Sequence, residues 1–301
     1  MRESAYKDLL NDIARKDPQI HAMSEEESGR LKQTLYDMAC DIDERCRKNG
    51  LRLFLVGGSL LGAVRHGGFI PWDDDMDFGM MRSDYRKLIE IFDQEFGDKY
   101  LLRCPNSPYP NGNRFMQIFA KDTVLVKAFE RNPLQPDRVS IDVFPYDYVP
   151  DNGVARMFRG LHANFLMAVA SCVMTEKYPD EATTTAMRSS SDGRRLYRLR
   201  SAIGKFFSFR TPEKWFDSVD DCIARERPSK SVTSATGRKH YFGEIYPADD
   251  FIPMTELRFV DHKFYAPGKY ENYLKGNYGD DYMTPPAEEK RESHFIVEFG
   301  G

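Results

Sequence analysis

The segment VGGSLLGAVRHGGFIPWDDDMDFG, Val56 to Gly79, crowds four aspartates into five residues: Asp73, Asp74, Asp75 and Asp77. Carboxylates this close repel one another, and burial beside apolar strand residues raises the cost. A hard divalent cation resolves the conflict. Mg²⁺ or Mn²⁺ prefers oxygen ligands and commonly bridges to phosphates. Upstream, Gly57, Gly58 and Ser59 form a turn whose backbone N–H groups can hold phosphate oxygens, as a nest or as a helix N-terminus. Together the two features point to metal-assisted phosphoryl chemistry.

The surrounding elements must bring these groups together. Arg52–Val56 reads as a short apolar strand, with Ser59 capping a helix from Leu60 to Arg65. Met76–Met80 reads as the next strand, carrying Asp75 and Asp77 on one face because side chains alternate. Val139–Phe144 is a later strand with Asp142 inside it. Asp142 either completes the metal site or bonds to loop amides. Before the site, Ser24 and Glu27 form a capping box. Leu31, Leu35, Met38, Ala39, Ile42 and Cys46 then recur at helical spacing, with Gly50 as a stop. Ser83 is expected to cap a further helix. Phe115–Ala120 and Val124–Phe129 are expected strands, Pro105–Gly112 a loop, and Asp147 a turn residue.

The Gly-Gly-Ser turn, the Asp-apolar-Asp strand and the later strand aspartate resemble the nucleotidyltransferase superfamily. The full string GGSLLGAVRHGGFIPWDDDMDFG, with IDVFPYD and the terminal YGDDYMTPPAEEKRESH, resembles the LicD family of phosphotransferases, which includes fukutin-related proteins. The motifs run from Gly57 to His294. This resemblance implies transfer of a phospho-alcohol, foremost phosphocholine, from a CDP-activated donor such as CDP-choline, with CMP released. The implied acceptor is a hydroxyl of a surface glycan such as lipopolysaccharide or teichoic acid, which can be lipid-linked. It also implies Asp75, Asp77 and Asp142 as ligands of Mg²⁺ or Mn²⁺, with Asp73 and Asp142 as candidate proton acceptors. Asp73, Asp75, Asp77 and Asp142 thus form the expected catalytic set. Two other readings stay open: a nucleotidyltransferase that adds NMP to a small molecule, and an inactive glycan-binding protein.

Donor-binding candidates, besides Gly57, Gly58 and Ser59, are Arg65, His66, Lys290, Arg291 and His294. Arg65 and His66 follow the glycine turn on one short helix, where Arg65 meets either phosphate or an aspartate. Lys290 and His294 would share a helical face. Trp72 and Tyr278 could stack on a base or enclose a cation, although core packing is the favoured account of both.

The chain of 301 residues is 41% hydrophobic and 30% charged, with a net charge of −4 and five cysteines. These values describe a globular chain and argue against a nucleic-acid partner. The cysteines form no CxxC pair, so neither zinc nor a disulfide framework is expected. With no apolar leader in the first residues, the expected location is cytoplasmic, or peripheral at the inner face of the membrane. The helix within Arg194–Arg210 is basic and amphipathic, a pattern that either lies on an anionic membrane or packs on a core. The expected fold is α+β: one continuous domain, with a nucleotidyltransferase-like mixed sheet at about 50–150, a helical insert at about 154–223 holding a polar loop over Thr183–Arg195, and an irregular C-terminal wrap at about 241–301.

Overall fold

The computed structural model describes residues 13–15, 17–129, 131–287, 291 and 294–300. Strand β1 (His21–Ala22) leads into helix α1 (Glu25–Lys48). The Ser24 hydroxyl accepts the Glu27 N–H, and the Glu27 carboxylate accepts the Ser24 N–H, so the capping box forms as expected. The apolar stripe Leu31, Leu35, Met38, Ala39, Ile42 and Cys46 is buried against the sheet.

The sheet is mixed, as an α+β chain requires. β2 (Phe54–Leu55) is followed by α2 (Gly57–His66), β3 (Asp77–Met81), α3 (Arg82–Glu95), β4 (Tyr100–Arg103), β5 (Met116–Ala120), β6 (Val124–Lys127) and β7 (Ser140–Tyr148). β3 lies between β2, antiparallel to it, and β7, parallel to it, while β5 and β4 extend the far side. Two expectations shift here. α3 is capped by Met81 without a side-chain hydrogen bond, so Ser83 lies inside the helix. Asp147 is a buried strand residue, and its two oxygens accept from Arg82 Nε and Nη2 at 2.8 and 2.7 Å. Arg82 also reaches Asp220 at 2.7 Å, so a buried cation is matched by two carboxylates.

The helical region comprises α4 (Gly153–Lys177), α5 (Glu181–Arg188), α6 (Ser191–Phe207) and α7 (Pro212–Ile223). The polar stretch expected as a loop is therefore mostly helix. Ser190 caps α6 through the Gly193 N–H, and the local charge is carried on exposed faces. α4, α7 and their neighbours pack a second apolar cluster around Leu166, Val173, Trp215 and Val219. Among the described residues α4 is the one helix long and apolar enough to cross a membrane, and 44% of its most apolar window is buried.

The C-terminal part is more regular than its composition suggests. β8 (Ser231–Thr233) pairs with β7, followed by the short helix α8 (His240–Gly243), β9 (Ile245–Pro247) and α9 (Ala248–Phe251). β10 (Thr255–Phe259) and β11 (His262–Ala266) form a hairpin, and β11 joins the main sheet beside β2. α10 (Tyr270–Tyr278) then crosses the glycine turn, and β12 (Phe295–Gly300) pairs with β1 and β6 in a second small sheet.

Candidate active site

The end of β2 and the start of α2 build one wall. α2 begins at Gly57, with Val56 as N-cap, three residues earlier than expected. Gly57 has φ +53°, a left-handed conformation that favours glycine, and a Cβ there would collide with the Asp77 carboxylate. A Cβ on Gly58 would lie 2.6 Å from Asp73 Oδ2. Both aspartates thus sit directly against the glycine backbone, and the Gly58 N–H bonds to Asp77. Ser59 departs from its expected role. It is buried inside α2, and its Oγ accepts the Asp77 N–H at 2.8 Å. Its hydroxyl holds the head of β3 in place and neither caps the helix nor faces a ligand.

Asp77 opens β3, and Asp75 precedes the strand rather than sharing its face. Asp77 and Asp142 are Cα partners across β3 and β7, and Asp142 is in turn the partner of Gln117 on β5. Paired residues point to the same side of a sheet, so Asp77, Asp142 and Gln117 form a row. Burial pushes the Asp77 carboxyl well above the usual range, and Asp75, Asp142 and Asp73 push it further. Burial also pushes Asp142 up to about 7. The Gln117 amide, donating to Asp142 Oδ1 at 2.7 Å, and the Lys127 ammonium restrain that rise, whereas Asp75 adds to it.

Among the described residues, no three His, Cys, Asp or Glu side chains are gathered closely enough to hold a metal ion as they stand. Asp142 is turned toward Gln117 and borders a separate cavity of about 190 Å³ with Asp74, Asp75 and Lys127. The donor chemistry nonetheless suits a hard cation. The carboxylates are hard oxygen donors, and the raised pKa of Asp77 records burial and a repulsion that a cation would offset.

His294 braces the aspartate segment from behind. Its Nδ1 lies 3.0 Å from Asp74 Oδ2 and its Nε2 lies 3.0 Å from the Trp72 carbonyl. Both ring nitrogens face acceptors, an arrangement that favours the cationic imidazole. Burial opposes that charge, but the bond to Asp74 prevails and raises the His294 pKa. Asp74 responds in kind. Burial alone would raise its carboxyl, yet His294 and Lys127 hold it down at about 2. His294 is thus a brace rather than a donor ligand, and it enters β12 rather than a helix. Lys290 lies outside the described residues. The Arg291 guanidinium covers the Trp72 ring at 4.5 Å. His66 is exposed, meets Trp72 edge-on at 6.1 Å and does not line the main cavity.

That main cavity, about 850 Å³, contains Gly57, Gly58, Asp73, Asp75 and Asp77 on its floor. Arg65 lines it while donating from Nη1 to the Tyr282 carbonyl at 2.9 Å. Trp72 and Tyr278, which core packing would also have explained, both line it. Burial raises the Tyr278 pKa, and Asp77 and Asp73 raise it further. Arg238 and Lys239 bring positive charge from the far side, and the Tyr273 hydroxyl accepts the Gly57 N–H at 3.0 Å. Sequence reasoning missed Gln117, Lys127, Arg238, Lys239 and Tyr273. Gln117 had a signal: it is the polar residue within the buried strand MQIFA. The others come from distant segments that only the tertiary fold brings together.

Comparison with known proteins agrees with this geometry. The family model described as LicD/FKTN/FKRP, nucleotidyltransferase domain, matches residues 50–164, from the start of β2 into α4. The lipopolysaccharide cholinephosphotransferase LicD of Haemophilus influenzae is 26% identical over 257 residues, covering 84% of this chain and 90% of that protein. The ribitol 5-phosphate transferase FKRP of Mus musculus is 48% identical over 105 residues, covering 35% of this chain and 18% of that protein. An uncharacterised protein of Rickettsia prowazekii is 43% identical over 67 residues, 22% of this chain and 25% of that protein. The aspartate cluster and the glycine turn both lie inside the span that matches the LicD family model.

Proposed function

We propose that this protein transfers a phospho-alcohol group from a CDP-activated donor to a hydroxyl of a cell-surface glycan precursor, and we assign phosphocholine as that group. One observation carries the reading: Asp77 and Asp73 lie directly against the Gly57–Gly58 backbone at the floor of a large cavity. A helix N-terminus, whose Gly57 and Gly58 N–H groups donate to the Tyr273 hydroxyl and to Asp77, is thereby brought to one spot with the acidic groups. The extent of the match to the Haemophilus cholinephosphotransferase supports the choice of group, and the ribitol 5-phosphate transferase supports the wider class.

In this reading the α2 N-terminus receives the donor diphosphate, with Arg65, Arg238 and Lys239 adding positive charge. Trp72 and Tyr278 offer ring faces to the cytosine or to the choline cation. Asp75 and Asp77, with Asp142 beside them, would hold Mg²⁺ or Mn²⁺. Such an ion supplies charge neutralisation at the donor phosphates. The acceptor oxygen attacks the phosphorus of the phospho-alcohol, the anhydride P–O bond breaks, and CMP leaves. The hydroxyl proton passes to a carboxylate. Asp73, against Gly58 on the main cavity, is one candidate to take it, and Asp142, paired with Asp77 across the strands, is the other.

Isothermal titration with CDP-choline, CDP-ribitol, CDP-glycerol and CTP, with and without Mg²⁺, tests the proposal. Mg²⁺-dependent preference for one CDP-alcohol is expected, with CDP-choline first. Preference for CTP would instead indicate nucleotidyl transfer. An Asp75→Ala, Asp77→Ala double variant that kept full cellular activity would end every enzymatic reading.

A further inference from the structure

The helical region bears an apolar face that the described residues leave open. Along α4, Val154, Phe158, Leu161 and Phe165 recur at helical spacing and are exposed, Phe158 by 65% and Phe165 by 52%. α6 contributes Phe206, exposed by 74%, and Phe209 follows at 72%. The patch is continuous. The Phe207 ring meets Phe165 at 6.1 Å, Phe206 at 5.0 Å and Phe209 at 6.1 Å. Contiguous exposed apolar surface marks an interaction site on a water-soluble protein.

Charge identifies what it meets. The chain as a whole is acidic, at −4, yet α6 has Arg194, Arg195, Arg198, Arg200 and Lys205 against the single acid Asp192. Arg200 is used internally, reaching Ser171 Oγ at 2.8 Å and Thr175 Oγ1 at 3.0 Å on α4. That contact fixes the inner side of α6. At 100° per residue, the solvent side then has Leu199 and Phe206 along one edge and Arg194, Arg198 and Lys205 along the other. The basic edge, with Arg188 and Tyr197, frames an open groove of about 690 Å³. Aromatic side chains beside a row of Arg and Lys match the acyl–headgroup boundary of an anionic bilayer.

A different, buried side of α4 connects to the candidate site. The Tyr241 and Phe242 rings of α8 pack on Gly160 of α4, and Lys239, which precedes α8, lines the main cavity.

We propose that the α4–α6 face seats this protein peripherally on an anionic membrane surface, with Phe158, Phe165, Phe206 and Phe209 at the acyl boundary and Arg194, Arg198 and Lys205 on lipid phosphates. The proposal stands apart from the transfer reaction, because it is read by lipid binding rather than turnover.

Co-sedimentation of the full chain with vesicles tests it, using phosphatidylcholine alone or an equal mixture with phosphatidylglycerol. Binding to the mixed vesicles is expected, weaker on phosphatidylcholine and weaker as salt rises. Phe206→Ser with Phe209→Ser should reduce it by about tenfold or more. Arg194→Gln with Arg198→Gln and Lys205→Gln should remove the preference for the anionic vesicles. These positions are exposed, so an unchanged melting temperature is expected as the control for folding. Failure to bind mixed vesicles, or equal binding by both variants, would overturn the proposal. So would a wild-type dimer in sedimentation velocity that the phenylalanine substitutions dissociate, since a second copy would then be the occupant.

Discussion

Asp77 and Asp142 stand side by side as Cα partners on the parallel strands β3 and β7, each with a carboxyl held above its ordinary pKa. Burial disfavours charge on both, and neighbouring carboxylates add to it, Asp75 and Asp142 at Asp77 and Asp75 at Asp142. A group kept there at such cost is expected to act in chemistry rather than in packing. Asp77→Asn keeps the volume and removes the charge. It should lower turnover by about 10³-fold or more, as loss of a key electrostatic group does, without loss of the circular dichroism spectrum. An unchanged rate, or a variant that simply unfolds, would count against the role.

The contact between Gly58 and Asp73 yields a second test. A Cβ at position 58 would sit 2.6 Å from Asp73 Oδ2, so Gly58→Ala must displace the carboxylate or the turn. Donor affinity measured by titration calorimetry should fall by roughly tenfold, the cost of one disturbed phosphate contact. Unaltered affinity would remove the glycine turn from the donor site.

Arg82 offers a stability test away from the chemistry. It joins Asp147 on β7 to Asp220 on α7, and all three side chains are nearly fully buried. Arg82→Met leaves two buried carboxylates without their cation and should cost about 3–5 kcal/mol in denaturant unfolding. The helical region should loosen with it, because this ion pair ties α7 to the sheet. A loss below about 0.5 kcal/mol would mean that the triad is replaceable by packing alone.

Asp142 makes stability depend on pH in a definite direction. Its carboxyl moves from an ordinary 3.8 to about 7 on folding, so the folded chain holds the proton more tightly. The resulting stabilisation is complete below 3.8 and is lost as pH rises through about 7. Asp142→Asn cannot titrate and escapes this loss. In chelator-treated protein, the melting temperature of Asp142→Asn relative to wild type should therefore be higher at about pH 8 than at about pH 5. A difference that does not vary with pH would refute the assignment.

Much of this was legible in the sequence because it is local. The capping box at Ser24 and Glu27, the apolar stripe of α1 and the strands around Asp77 and Asp142 follow from neighbours a few residues apart. The same is true of the glycine turn and the aspartates after it, whose spacing also carried the family resemblance. The length of the Thr183–Arg195 helices was obscured because polar composition hides a helix whose exposed faces are charged. Asp147 looked like a turn residue because its partner, Arg82, lies 65 positions away.

Tertiary structure decided the rest. Strand order places Gln117 beside Asp142 and Lys127 near Asp74. The C-terminal return sets Tyr273 on the Gly57 amide and His294 on Asp74. Ser59 does not take its expected place as helix cap for the same reason, since its hydroxyl accepts the Asp77 amide of the neighbouring strand. Residue types and local spacing determined which groups could do chemistry in this protein. Which of them face the cavity and which brace it depended on long-range pairing, because a side chain's partner is set by the sheet register and the chain's return path, not by its sequence neighbours.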